Sequence, residues 1–140
     1  MERTRAMVDS CEIEIRVRYA EVDRMGALHH SRFWQYFEMG RTELLRQCGA
    51  AYRDLEDAGV YFVVGKCSAK FKAPAHYDDV LTLSTRVMKM GQAHIDHAYE
   101  LKRSNGDVPA QIIATAETTI VCVTRDGKIM PIPDALRGTT

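Results

Sequence analysis

Residues 11–19 alternate strictly, with Cys11, Ile13, Ile15, Val17 and Tyr19 on one side and Glu12, Glu14, Arg16 and Arg18 on the other. A period of two belongs to a strand buried on one face, so the pattern predicts a strand there. From residue 31 to about 49 the period lengthens: Phe33, Phe37, Gly40, Leu44 and Cys48 recur three or four positions apart as one apolar stripe. This predicts a long helix, with Ser31 as its N-cap and Gly49 as its stop. Gly40 lies inside the stripe, where a missing side chain lets the helix approach a sheet closely at a cost of about 1 kcal/mol in helix propensity. Residues 50–59 predict a shorter helical turn that Gly59 ends.

Apolar-rich stretches follow at 60–72, 80–89, 93–103 and 110–124, separated by turn chemistry. Ala73-Pro74-Ala75 and Tyr77-Asp78-Asp79 divide the first from the second, while Met90-Gly91-Gln92 and Ser104-Asn105-Gly106-Asp107 suit hairpins. A strand, a long helix and then four hairpin-linked strands predict an α+β domain, an antiparallel sheet with one helix against one face. One helix covers only one face, so apolar residues on edges and ends are expected to meet a second subunit. One domain over 1–140 is expected, with 1–10 and 131–140 as exposed tails, the latter marked by Pro131 and Pro133 after Asp126-Gly127.

A chain of 140 residues buries roughly two thirds of its unfolded surface, enough for a core without disulfides or metals. Lys+Arg and Asp+Glu are equal at 19 each, so no long-range field draws a nucleic-acid backbone. Lys66, Lys70 and Lys72 alternate and are expected to form a solvated strand face. Cys11, Cys48, Cys67 and Cys122 match neither CxxC nor a zinc spacing and are expected to be reduced and mostly buried. Neither a signal-like apolar run nor a stretch of ~18 apolar residues is present, which predicts no membrane span and a cytoplasmic location.

Residues 20–30 fit neither period and hold Asp23, Gly26, His29 and His30, the composition of a functional loop. Taken alone, Asp23 suits a loop-stabilising role better than that of a nucleophile or of a base that activates water. His30 divides evenly between catalysis and a structural role. Glu21 is expected to point away from Asp23 or to pair with an arginine, and Glu38 and Arg41, three apart, to form a surface ion pair. His94 and His97 face opposite sides of a strand, His29 and His30 are adjacent, and no GxSxG occurs, so metal and serine chemistry are disfavoured.

The run Val17-Arg18-Tyr19-Ala20-Glu21-Val22-Asp23-Arg24-Met25-Gly26-Ala27-Leu28-His29-His30-Ser31-Arg32-Phe33 continues through Phe37-Glu38-Met39-Gly40-Arg41-Thr42-Glu43. In order and spacing it resembles the 4-hydroxybenzoyl-CoA thioesterase family of hotdog proteins, most closely the YbgC-type acyl-CoA thioesterases. Phe62-Val63-Val64, Phe71-Lys72-Ala73-Pro74-Ala75 and Ile120-Val121-Cys122-Val123 extend the likeness over nearly the whole chain. Two positions depart from the pattern: His29 stands where an aromatic residue is usual, and Arg24-Met25-Gly26 keeps only one glycine.

The resemblance implies a long central helix wrapped by a curved antiparallel sheet, paired as a homodimer or homotetramer with its site at the subunit interface. It implies hydrolysis of an acyl- or aroyl-CoA thioester, with the CoA ester as substrate and no separate cofactor or metal. The family's catalytic carboxylate falls on Asp23 and its histidine on His30, with the helix start polarising the carbonyl. Tyr19, Gly26, His29 and Ser31 are expected around the substrate. The motif order disfavours a hydratase of the same fold, and the alternative from another class is a non-catalytic acyl-CoA-binding hotdog protein.

Overall fold

A computed structural model describes residues 9–49, 52–105 and 108–137. Strand β1 (Ser10–Arg16) leads through a 3-10 turn (Tyr19–Glu21) to helix α1 (His30–Gln47) and short helix α2 (Tyr52–Asp57). Strands β2 (Tyr61–Phe71), β3 (Val80–Met90), β4 (His94–Asn105) and β5 (Val108–Val123) follow, then a second 3-10 turn (Asp134–Arg137). The five strands form one sheet in the order β1-β3-β4-β5-β2, and every pair is antiparallel. This is the predicted α+β architecture in its hotdog form, a long helix against a curved antiparallel sheet.

Helix α1 buries Phe33, Tyr36, Phe37, Gly40, Leu44 and Leu45. Its first half packs with Leu81, Leu83, Leu101 and Ile113 in one core cluster, while Leu45 joins Val60, Ile95, Ile120 and Cys122 in another. Contact is closest at Gly40. A Cβ placed there would lie 2.2 Å from Thr85 Oγ1 and 2.8 Å from Leu83 Cδ2. Overpacking of this kind costs about 1–3 kcal/mol and outweighs the helix propensity that alanine gains. Gly40→Ala is therefore expected to lower the urea midpoint by the equivalent of about 1 kcal/mol; an unchanged or raised midpoint would show that the helix does not rest on β3 here.

Four sequence expectations are corrected. The first strand ends at Arg16, not Tyr19: Arg18 caps the turn at Glu21, which swings Tyr19 out to 77% exposure. The helix begins at His30 and its N-cap is His29, not Ser31, because His29 Nδ1 accepts the Ser31 amide at 3.2 Å and contacts Ser31 Oγ at 2.8 Å. Residues 131–137 are no exposed tail: Ile132 and Leu136 are each 2% exposed in the second cluster, and Arg137 donates to the carbonyls of Gly91 and Gln92. Two apolar side chains four apart outweigh the flanking prolines there. Arg41 makes no surface pair with Glu38; it is buried and donates to Tyr99 Oη at 3.5 Å.

Gly49, at φ +90°, follows the helix as predicted. The four cysteines are free, but only Cys122 is buried, Cys67 is exposed on β2, and Cys11 and Cys48 lie between. Residues 1–8, 50–51, 106–107 and 138–140 lie outside the described residues, and with them the expected first tail, apart from Asp9 and Ser10, and the centre of the expected hairpin turn at Gly106-Asp107. No helix among the described residues is long and apolar enough to cross a membrane.

Candidate active site

The loop between the first 3-10 turn and α1 is folded around Asp23. Its amide donates to the Ala27 carbonyl at 2.8 Å, and its Oδ1 accepts from the amides of Met25 at 2.8 Å and Ala27 at 3.1 Å. Gly26 supplies the left-handed turn at φ +82° that lets the chain close over this carboxylate. Oδ1 thus holds the loop, while Oδ2 has no hydrogen-bond partner among the described residues. The loop-stabilising reading of Asp23 is met by these bonds to Oδ1.

Beneath the loop lies a buried charge. Glu21, 5% exposed, accepts from Tyr36 Oη at 2.6 Å, from the Arg18 amide at 2.9 Å and from the Arg18 guanidinium at 3.0 and 3.1 Å. Burial pushes this carboxyl up, but the hydrogen bonds of Tyr36 and Arg18 and the charge of Arg18 outweigh it and hold Glu21 below the ordinary carboxylate value. Burial first, and the Glu21 carboxylate second, raise the Tyr36 phenol. Glu21 therefore pairs with an arginine, as expected, and its carbonyl receives the His29 amide at 3.0 Å, which ties the loop to the helix start. Tyr36→Phe removes a hydrogen bond to a buried charge and is expected to cost about 2 kcal/mol in urea unfolding; a loss under a few tenths would detach Tyr36 from this support.

A cleft of about 560 Å³ opens beside the loop. Asp23, His29, His30 and Lys72 give it polar groups, and Ala27, Leu28, Phe33, Phe71, Ala73 and Pro74 line the rest. The His30 imidazole lies parallel to the Phe71 ring, centroids 4.1 Å apart and planes within 5°, with Phe33 edge-on to Phe71 at 4.9 Å. Phe71 at the end of β2 and Lys72 after it come to the site from the far edge of the sheet. Their sequence signal was present in the Phe71-Lys72-Ala73-Pro74 run, where a strand stops at a proline, yet alternation alone assigns Lys72 to a solvated face. It is exposed, and it also borders the cleft.

Of the predicted substrate residues, His29 lines the cleft and caps the helix. Gly26 shapes the Asp23 loop, and Ser31 spends its hydroxyl on His29; neither lines the cleft. Tyr19 lies outside it, edge-on to Tyr77 at 5.6 Å. A wider depression of about 790 Å³ runs over the sheet past Glu12, Arg86, Glu100 and Glu117, and it includes none of these residues.

At the helix start the Ser31 amide is taken by His29 Nδ1 and the Arg32 amide by the His29 carbonyl at 2.9 Å. The His30 amide has no partner among the described residues. A free N–H, a helix N-terminus and a carboxylate with one free oxygen together suit attack on a carbonyl whose oxygen gains charge. Among the described residues no cluster of three metal-ligating side chains occurs.

Comparisons with known proteins find thioesterase relatives. Residues 17–139 match the family described as the thioesterase-like superfamily. The acyl-CoA thioesterase YbgC of Haemophilus influenzae is 29% identical over 119 residues, 84% of this chain and 83% of that protein. The acyl-CoA thioester hydrolase YbgC of Escherichia coli is 28% identical over 109 residues, 78% of each. The solved structure of 4-hydroxybenzoyl CoA thioesterase from Pseudomonas sp. strain CBS-3 superimposes with a TM-score of 0.84 over 94% of this chain and 99% of that one, at 20% identity, a likeness of fold.

Proposed function

The chain belongs to the thioesterase-like superfamily and is an acyl-CoA thioesterase; we propose that its reaction runs on Asp23 in the cleft at the start of α1. The observation that carries this is the meeting there of a carboxylate with one free oxygen and an unpartnered helix N-terminal amide. The thioester carbonyl carbon faces Asp23 Oδ2, and its oxygen takes a hydrogen bond from the His30 amide. Negative charge gathers on that oxygen as the tetrahedral species forms, where the N–H and the helix dipole stabilise it.

Asp23 acts either as nucleophile, forming an acyl-enzyme anhydride that water then opens, or as the base that takes a proton from the attacking water. In both cases the carbon–sulfur bond breaks, CoA leaves as thiolate, and the acyl group departs as a carboxylate. The His30 ring, held flat against Phe71, orients the water or the ester at the cleft wall. Lys72 at the same wall offers positive charge to the CoA phosphates. Acyl- and aroyl-CoA esters are the substrates, and no cofactor is required. The four free cysteines suit a reducing compartment, which supports a cytoplasmic location.

We further propose that the working unit is a homo-oligomer joined at β2. This strand is one edge of the sheet, and Val63 and Val64 on it are 50% and 49% exposed. Open strand edges carrying apolar side chains invite pairing with a second copy. Light scattering is expected to give a multiple of 15.8 kDa for the wild type and a shift toward one chain for Val64→Lys. A monomeric wild type with full activity would remove the second subunit from the site.

Thiol release from a panel of short, long and aromatic acyl-CoA esters tests the function. At least one class is expected to be hydrolysed, with His30→Ala slower on the same ester. A folded wild type inert across the panel would overturn the reading.

A further inference from the structure

Arg41 and His97 carry chemistry that thioester hydrolysis does not use. Arg41 sits on the inward face of α1, buried, and among the described residues it forms no ion pair. Its hydrogen bond is the 3.5 Å contact of Nη1 with Tyr99 Oη, a hydroxyl that Thr118 Oγ1 already engages at 2.6 Å. His97 on β4 is 4% exposed, and its Nδ1 has no partner among the described residues. Both side chains line one cavity of about 20 Å³, walled otherwise by apolar side chains of α1 and of strands β2 to β5 and by Cys48.

A guanidinium keeps its charge at any pH a protein meets, and taking it out of water is strongly unfavourable unless negative charge opposes it. Apolar walls offer none. Burial first, and the Arg41 charge second, push His97 down to about 4, with Asp96 opposing, so near neutral pH the imidazole contributes a hydrogen bond and no charge. The Asp96 carboxylate accepts from Thr119 and does not line the cavity, so inside it the Arg41 charge is unopposed. A volume of about 20 Å³ holds one atom of water size and excludes phosphate, sulfate and free carboxylic acids.

We propose that the cavity between Arg41 and His97 is a binding site for one small monovalent anion of the halide class, held by guanidinium N–H groups and the imidazole Nδ1–H. The site stands on the second half of α1, away from the cleft residues at the helix start, and it locks the helix to β4 by giving both buried donors a common acceptor. A water satisfies the same donors but leaves the charge unopposed. A carboxylate from a second subunit opposes the charge but leaves no room for an ion.

Thermal melts of the whole protein at matched ionic strength in sodium chloride and sodium gluconate test the site. Chloride at about ten times its dissociation constant is expected to raise Tm by on the order of 4 °C over gluconate, and Arg41→Met is expected to melt alike in both salts. Should Arg41→Met not fold, wild-type crystals grown in bromide decide the matter, with an anomalous peak expected between Arg41 and His97. Equal wild-type melting in the two salts, together with no bromide peak at that place, overturns the proposal. Neither readout depends on turnover, so its failure and the failure of the Asp23 mechanism are distinguishable.

Discussion

Asp23→Asn is expected to lower thioester hydrolysis by about 10³-fold, the scale on which a positioned carboxylate accelerates attack at a carbonyl. Asparagine is nearly the same shape, and its Oδ1 can still accept the Met25 and Ala27 amides, so the loop keeps its form. What disappears is the charge on the free oxygen. The loss should therefore fall on kcat, with KM for the CoA ester little changed, because the carboxylate acts in the transition state rather than in binding the ester. Steady-state thiol release, with circular dichroism to verify the fold, measures this. A variant within tenfold of wild type would remove Asp23 from the chemistry. Oxygen label from water, followed into Asp23 during a single turnover, separates nucleophile from base.

Acid should weaken the fold through His97, on the order of 3 kcal/mol between pH 6.5 and 4 in chloride-free buffer. The folded-state value, about 4, lies below the ordinary 6.5, so in that window the unfolded chain binds a proton that the native protein excludes. Stability is full above the upper value and falls as pH drops toward the lower one. Urea unfolding at intervals of pH measures the slope. His97→Phe keeps an aromatic ring in the same place and is expected to flatten this limb. Glu21 is depressed as well, and its contribution is lost only as pH falls through its own folded value, below the ordinary 4.5. A His97→Phe variant should retain that lower step. An unchanged slope between pH 6.5 and 4 in the variant would assign the acid limb to other groups.

Much of this architecture was legible in the chain because local periods and turn residues agree with the tertiary fold. Alternation from Cys11 marked β1, the stripe from Phe33 to Cys48 marked α1, and the four later strands were set within a few residues by glycine, proline and aspartate. Gly40 announced a close helix–sheet approach before any sheet was seen. The misplaced features share a cause, since each was settled by a partner distant in sequence or by a competing local bond. Tyr19 continues the alternation but is turned out by the Arg18–Glu21 cap, and the tail prolines conceal Ile132 and Leu136, whose cluster includes Leu45, Val60 and Ile95, some 40 to 90 residues away in the chain.

The site divides in the same way. The loop composition and the resemblance together pointed to Asp23 and His30, because a carboxylate, a glycine turn and a histidine lie within a few consecutive residues ahead of a helix. The aromatic support of His30 by Phe71, the cleft position of Lys72, the buried Glu21–Tyr36 brace and the enclosure of Arg41 with His97 each join elements far apart in the chain. Sequence periodicity records which face a residue occupies, and so by itself it determined the strands, the helix and the irregular loop between β1 and α1. Which faces meet depends on strand order and on the crossing of α1 over the sheet, and therefore only the tertiary structure decided what stands beside Asp23, His30 and Arg41.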